Sequence, residues 1–241
     1  MFEGPGDGGG GPVAQQVARL GTATIPVPTR RSTGRLLGCG LIAGPLFVLV
    51  TTIEIATRQG FDLRRNGISQ LSLGDRGWIQ VLNFVVAGLL TIAFAVGVRR
   101  VLRPGIGATA APVLILGYGL GLIATGLFLV DPGVGFPPGT PEGVPELSWH
   151  GLVHAFAPPA SFLLLVGAGG IFAWRCAVRR EFLLAGYCIL TGLLAVGLIC
   201  WPGGGGSVRS AVAVVLTSVW MSVIAWRLIR ENDSRAVPSR G

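Results

Sequence analysis

Apolar residues gather into six runs, at 36–57, 78–98, 111–130, 152–174, 182–200 and 210–227, divided by shorter segments that hold most of the polar chemistry. Each run matches the length an α-helix needs to cross a hydrocarbon core, roughly 20 apolar residues. The pattern predicts an all-α polytopic membrane protein, a bundle of six transmembrane helices with two long extracytoplasmic loops at 58–77 and 131–151. A disordered tail is expected at 1–35, the six-span domain at 36–227 and a second tail at 228–241. The first tail carries Gly8–Gly11 with Pro5, Pro12, Pro26 and Pro28, too polar and too rich in helix breakers to fold alone.

Composition agrees with the pattern. The chain of 241 residues is 51% hydrophobic and 12% charged, with a mean hydropathy of +0.67, which excludes a water-soluble domain. A net charge of +8 could suggest nucleic acid, so the placement of the 19 arginines decides. If the N-terminus is cytoplasmic, fourteen lie inside (Arg19, Arg30, Arg31, Arg35, Arg99, Arg100, Arg103, Arg175, Arg179, Arg180, Arg227, Arg230, Arg235, Arg240). Five lie outside: Arg58, Arg64, Arg65, Arg76 and Arg209. The positive-inside bias therefore puts both termini in the cytoplasm, and no nucleic-acid partner is expected. Trp78, Trp149 and Trp201 fall at outer boundaries and Trp174 and Trp226 at inner ones, as interfacial residues should.

Two targeting motifs fail on context. Thr29-Arg30-Arg31-Ser32 resembles a twin-arginine signal and Leu36-Leu37-Gly38-Cys39 a lipoprotein box, but the apolar stretch follows Cys39 and is too long for a signal core. Cys39, Cys176, Cys188 and Cys200 have no metal spacing, and Cys200 alone lies near the outer face, so they read as small packing residues.

Long loops on a rigid scaffold are the usual carriers of function. In the first, Ile68 and Leu71 predict a helical turn at the interface, ended by Gly74, with Asp75 capping the second span. Asp62, Arg64, Arg65, Ser69, Gln70 and Asp75 form either an internally paired loop or a ligand site, Arg64 and Arg65 being able to hold a phosphate or carboxylate. The second loop is stiffened by five prolines between 132 and 145 and leads through Asp131, Ser148 and Trp149 to His150 and His154. The two histidines share one face of a helix capped by Ser148, and Pro158 and Pro159 leave the carbonyls of His154 and Ala155 without helical donors. Histidine face and carbonyls are expected to converge on one hydrated pocket.

Two readings of that pocket follow. His150, His154 and a carboxylate from Asp131, Glu54, Glu142 or Glu146 would satisfy a catalytic zinc site, although the glutamate of the zinc-protease helix is missing after His150. The favoured reading has no cofactor: the histidines hydrogen-bond loop carbonyls and Asp131. Glu54, an acid inside a span, pairs with Arg58 at i+4, and Asn83 bonds a neighbouring helix or contacts ligand. Gly40 with Gly44 and Gly117 with Gly121 are small-residue faces, serving packing within one bundle or a homo-oligomer.

Gly60-Phe61-Asp62, Ile68-Ser69-Gln70-Leu71, Leu73-Gly74-Asp75 and Gly77-Trp78-Ile79-Gln80 with Asn83-Phe84 resemble the bacterial membrane family catalogued as domain of unknown function 998. Asp131-Pro132, Gly135-Phe136-Pro137-Pro138-Gly139-Thr140-Pro141 and Trp149-His150-Gly151 with His154 resemble its second signature. The resemblance covers about 36–227 and implies a six-span inner-membrane protein with no activity to transfer. Since both signatures lie in the long loops, those loops are expected to meet above the bundle. Two function classes remain: a non-catalytic membrane protein binding a lipid headgroup, small ligand or partner, which is favoured, and a metal-dependent membrane hydrolase. A coupled transporter ranks third, since no span carries a buried charge of the expected kind.

Overall fold

The computed structural model describes Met1 and residues 29–143, 146–202 and 204–234. Among the described residues six helices follow one another: α1 (Arg30–Thr57), α2 (Gly77–Leu102), α3 (Ala110–Leu127), α4 (Trp149–Val178), α5 (Phe182–Cys200) and α6 (Gly206–Ser234). All six are long and apolar enough to cross a membrane. They coincide with the expected runs to within about two turns, the widest departures being α1, which starts at Arg30, and α6, which continues to Ser234. Most of the expected N-terminal tail, with Arg19, and the last residues, with Arg235 and Arg240, lie outside the described residues.

Local chemistry explains the helix boundaries. Thr29 caps α1 and Ser148 caps α4, each hydroxyl accepting a backbone N–H from the first turn, Ser32 at 3.3 Å and Gly151 at 3.1 Å. Asp75 does not cap α2 as expected: the chain enters that helix one residue later, with Arg76 at the cap position and no side-chain cap. Pro45 lies inside α1, where its missing N–H deprives the Leu41 carbonyl of a donor. Ser222 of α6 supplies one instead, its hydroxyl 3.2 Å from that oxygen.

Consecutive helices pack side by side, and α6 returns against α1 to close a ring. Because the helices alternate in direction, both long connections share one end, the loop end. Ion pairs and hydrogen bonds such as Arg30 to Asp233 and Arg100 to Ser32 gather the start of α1, the end of α2 and the end of α6 at the other, the arginine end. Trp78, Trp149 and Trp201 are exposed at the loop end and Trp174 and Trp226 at the arginine end, while Trp220 is buried beside Phe172.

The glycine faces are spent inside this ring. Gly40 lies under the Phe94 ring, Gly44 against Ser218, Gly117 against Leu164 and Gly121 against Ser161. Without a hydrophobic drive between helices in lipid, such close approach is what binds them. Gly40 and Gly44 are buried in these contacts and Gly117 and Gly121 lean on α4, so the faces serve the packing within one bundle that was one of the two expectations for them. The interior is uneven along its length: Leu37, Phe94, Ile115, Phe172, Trp220 and Ile224 belong to one large core toward the arginine end. Toward the loop end a small cluster of Phe47, Phe84 and Ala87 stands apart.

Candidate functional site

The first long loop is built almost entirely from its own polar groups. Asp62 accepts the Arg64 N–H on its side chain (2.9 Å) and those of Arg65 and Asn66 on its carbonyl, while Asn66 Oδ1 accepts from the Asp62 N–H at 3.0 Å. A 3-10 turn then runs from Ile68 to Ser72, its start held by Gln70 Oε1, which accepts the Gly67 N–H at 3.0 Å. Beneath it Glu54, 1% exposed, sits between two arginines: Arg76 Nη2 lies 2.9 Å from Oε1 and Arg58 Nη1 3.4 Å from Oε2. Arg58 also donates to the carbonyls of Leu71 and Leu73, so the acid inside the span fastens the loop to α1. The Glu54–Arg58 pair was legible from the i+4 spacing; Arg76, 22 residues from Glu54, was not.

The second loop docks on the first. Gln70 Nε2 donates to the Gly133 carbonyl at 2.9 Å, Asn66 Nδ2 to the Val134 carbonyl at 3.3 Å, and Arg65 pairs with Glu142. Phe136, 1% exposed, meets the Phe61 ring edge-on with centroids 5.4 Å apart. The two loops thus form one cap, as their shared position in the signatures led us to expect. Asn66, Phe61 and Phe136 carry the junction; a large aromatic residue in an otherwise polar loop was the available signal for the last two.

Asp131 joins the cap to α4. Its carboxylate accepts the Ser148 hydroxyl at 2.6 Å and the Ser148 N–H at 2.8 Å, and it rests against Gly151, where a side chain would collide with it. The Ser148 hydroxyl holds the Asp131 carboxyl below the usual carboxylate range, against the opposing effect of burial. Since Ser148 Oγ gives its one proton to Asp131, it faces His150 Nδ1, 2.9 Å away, as an acceptor. Leu129 O lies 3.3 Å from the same nitrogen, and Phe128 O lies 2.7 Å from His154 Nδ1. A carbonyl can only accept, so both Nδ1 atoms carry their protons. The carbonyl half of the favoured histidine reading is present, but Asp131 is 3.8 Å from His150, too far for a hydrogen bond, and reaches it only through the shared Ser148 hydroxyl.

A zinc site does not assemble from these residues. Glu54 is held by its arginines on α1, and among the described residues no group of three or more His, Cys, Asp or Glu side chains could hold a metal ion. The expectation that the histidines line a pocket with the His154 and Ala155 carbonyls freed by Pro158 and Pro159 is also corrected. A cavity of about 490 Å³ does open at those prolines, but neither histidine lines it, because both rings turn toward the end of α3.

That cavity is enclosed by the helix ring directly under the cap. Gly67, Ile68 and Ser69 form its roof, Phe47, Phe84, Tyr118, Leu122, Phe162 and Val214 its apolar walls. Phe47, ten residues before the end of α1 at Thr57, places its depth at ~15 Å, half of a ~30 Å hydrocarbon core. At the cap end of the cavity the Ser69 and Ser207 hydroxyls make no hydrogen bond among the described residues. Beside it Asn83 Nδ2 donates to the Phe47 carbonyl (3.1 Å), Thr51 Oγ1 (3.2 Å) and Gln80 Oε1 (3.2 Å), joining α2 to α1.

The residues singled out from the sequence therefore divide. Asp62, Arg65, Gln70, Asn83 and Asp131 hold the protein's own structure. Ser69 alone of them lines the cavity. Arg64 and Asp75 are exposed on the cap, and Trp149, 71% exposed, packs edge-on against Phe128 at the bilayer boundary. The aromatic wall residues were hidden among apolar runs where any side chain could face lipid.

Six membrane-crossing helices under a two-loop cap define a polytopic all-α membrane protein. The chain belongs to a family of bacterial membrane proteins described as protein of unknown function (DUF998), which matches residues 41–227 and includes both loops of the cap. No curated protein and no solved structure matches it.

Proposed function

We propose that this is a non-catalytic protein of the bacterial cytoplasmic membrane, both termini cytoplasmic, which holds a lipid-like amphiphile in the cavity beneath its cap. The observation that carries the reading is the cavity itself. Its volume of about 490 Å³ falls within the ~300–1,000 Å³ of small-molecule sites, and its depth suits an apolar chain entering from one leaflet. Ser69 and Ser207 offer two hydroxyl donors at the cap end of the cavity, which fits a chain ending in an uncharged or phosphate oxygen. The cap supplies little charge for a headgroup, since Arg58, Arg65 and Arg76 are paired with carboxylates and Arg64 alone extends a free guanidinium there among the described residues.

Native mass spectrometry of the detergent-purified protein tests the ligand. A bound amphiphile is expected in the wild type and depleted in Val214→Phe, which narrows the cavity at its apolar wall, while Arg64→Ala retains it. A wild type that carries none, or a Val214→Phe protein that keeps it, would sink the proposal. Orientation is tested in a Cys200→Ser background, where an impermeant thiol reagent applied to intact cells should label Gly204→Cys and not Ala177→Cys. The opposite labelling would invert the topology.

A further inference from the structure

We propose that the arginine end carries a separate site for an anionic phospholipid, with the headgroup between α4, α5 and α6 and its chains along the outer groove between α5 and α6. A cavity of about 420 Å³ opens there, lined by Arg175, Arg179, Arg227 and Arg230 against only two carboxylates, Glu181 and Glu231. Glu231 is shared by Arg175 at 3.0 Å and Arg179 at 3.1 Å, and Glu181 takes Arg227 at 2.6 Å. Arg230 packs over the Trp226 ring, 4.8 Å from its centroid, and has no carboxylate partner among the described residues. The cavity therefore keeps an excess of positive charge at the membrane boundary marked by Trp174 and Trp226. Guanidinium groups in that position select phosphate by paired N–H donors.

An apolar groove leads away from this cavity and shares Glu181, Leu184 and Arg227 with it. Its surface is made by Phe182, Leu183, Tyr187, Val219, Val223 and Trp226. Phe182 and Leu183 are 68% and 95% exposed, so they face the acyl region rather than the bundle. A free phosphate would use the charged cavity and leave the groove idle. A phospholipid uses both, and its negative charge answers the surplus arginines, as basic pockets between membrane helices do generally.

Arg180 adds an independent mark at the same place. It closes α4 in the left-handed conformation, φ +61°, with the Glu181 N–H returning to the Cys176 carbonyl at 2.9 Å and its own N–H to Ala177 at 3.0 Å. Glycine is the residue that takes this position without strain, yet an arginine stands here with its guanidinium unpaired among the described residues and borders the groove.

The test uses the full chain in detergent, with cardiolipin, phosphatidylglycerol or phosphatidylcholine added and retained lipid read by native mass spectrometry. The anionic lipids should be retained preferentially, and Arg180→Gly and Arg230→Gln should each lower retention about five-fold, the worth of one arginine near an anionic lipid. Arg180→Gly relaxes the backbone while removing the charge, so loss of binding cannot be ascribed to loss of fold. Val214→Phe, which narrows the loop-end cavity, should leave this retention unchanged, so the two sites fail separately. Equal retention of phosphatidylcholine, unchanged retention in both arginine variants, or displacement of anionic lipid by inorganic phosphate alone would overturn the assignment.

Discussion

Each end of the bundle is fastened by a glutamate held between two arginines, and the two clamps close over opposite interiors. At the loop end Glu54, with its side chain 2% exposed, draws Arg58 and Arg76 together and so pulls a loop across the ring, beneath which the bundle is hollow. At the arginine end Glu231, 19% exposed, joins Arg175 and Arg179 over the packed core of Phe172, Ile224 and Leu228, and the space lies outside among the charges. One end hides apolar volume under a polar lid; the other displays charge over a filled interior. The same residue types thus serve a lid or a landing site according to whether the helices beneath them pack or part.

Breaking the clamps should separate the ends most sharply. Glu54→Ala strands Arg58, whose side chain is 7% exposed, and should cost about 3–5 kcal/mol. Glu231→Ala strands Arg175, whose side chain is 8% exposed, but leaves Arg179 in water, and with Glu231 itself 19% exposed it should cost less, about 2–3 kcal/mol. Thermal unfolding of both variants in one detergent decides, and equal losses would erase the contrast. Phe136→Ala, which empties the junction between the loops, should follow at roughly 3 kcal/mol, with faster proteolytic cleavage inside residues 131–148 and none at the arginine end.

A smaller effect attaches to Asp131. Its carboxyl is held below the ordinary value of about 4, so its contribution is complete above that pH and is lost as pH falls through the folded value. Acidification through the lowered folded value should loosen the cap of the wild type, read by cleavage of the second loop along an acid titration. Asp131→Asn should cost about 1–3 kcal/mol at neutral pH and remove that acid response. The smallest change belongs to Arg65→Ala. Both partners of the Arg65–Glu142 pair are more than half exposed, so stability should shift by under about 0.5 kcal/mol; a larger shift would mean the loops depend on this ion pair rather than on Phe136 and Gln70.

What could be read beforehand was whatever depends on neighbours along the chain. The Ser148 cap, the shared face of His150 and His154, and the Glu54–Arg58 pair all follow from spacings of three or four residues, and all are present. Asp75 misled because a polar residue before a helix is a cap only if the chain enters the helix at that residue, and here it enters one later. His150 and His154 were placed on the correct helix face, but which way that face turned depended on the end of α3, whose carbonyls take both rings. Gly40, Gly44, Gly117 and Gly121 announced close contact without naming the partner.

By itself the sequence determined six crossings, their alternating direction and the unequal charge of the two ends, because hydropathy and arginine placement act one segment at a time. Membership of the loops in one cap, the partners of Glu54 and Gln70, and the presence of a cavity were decided only by the closed ring. Each requires residues tens of positions apart to arrive at one depth, as Gln70 does at Gly133 and Arg65 at Glu142. A void in particular has no sequence signature, since it is the place where six apolar helices fail to meet.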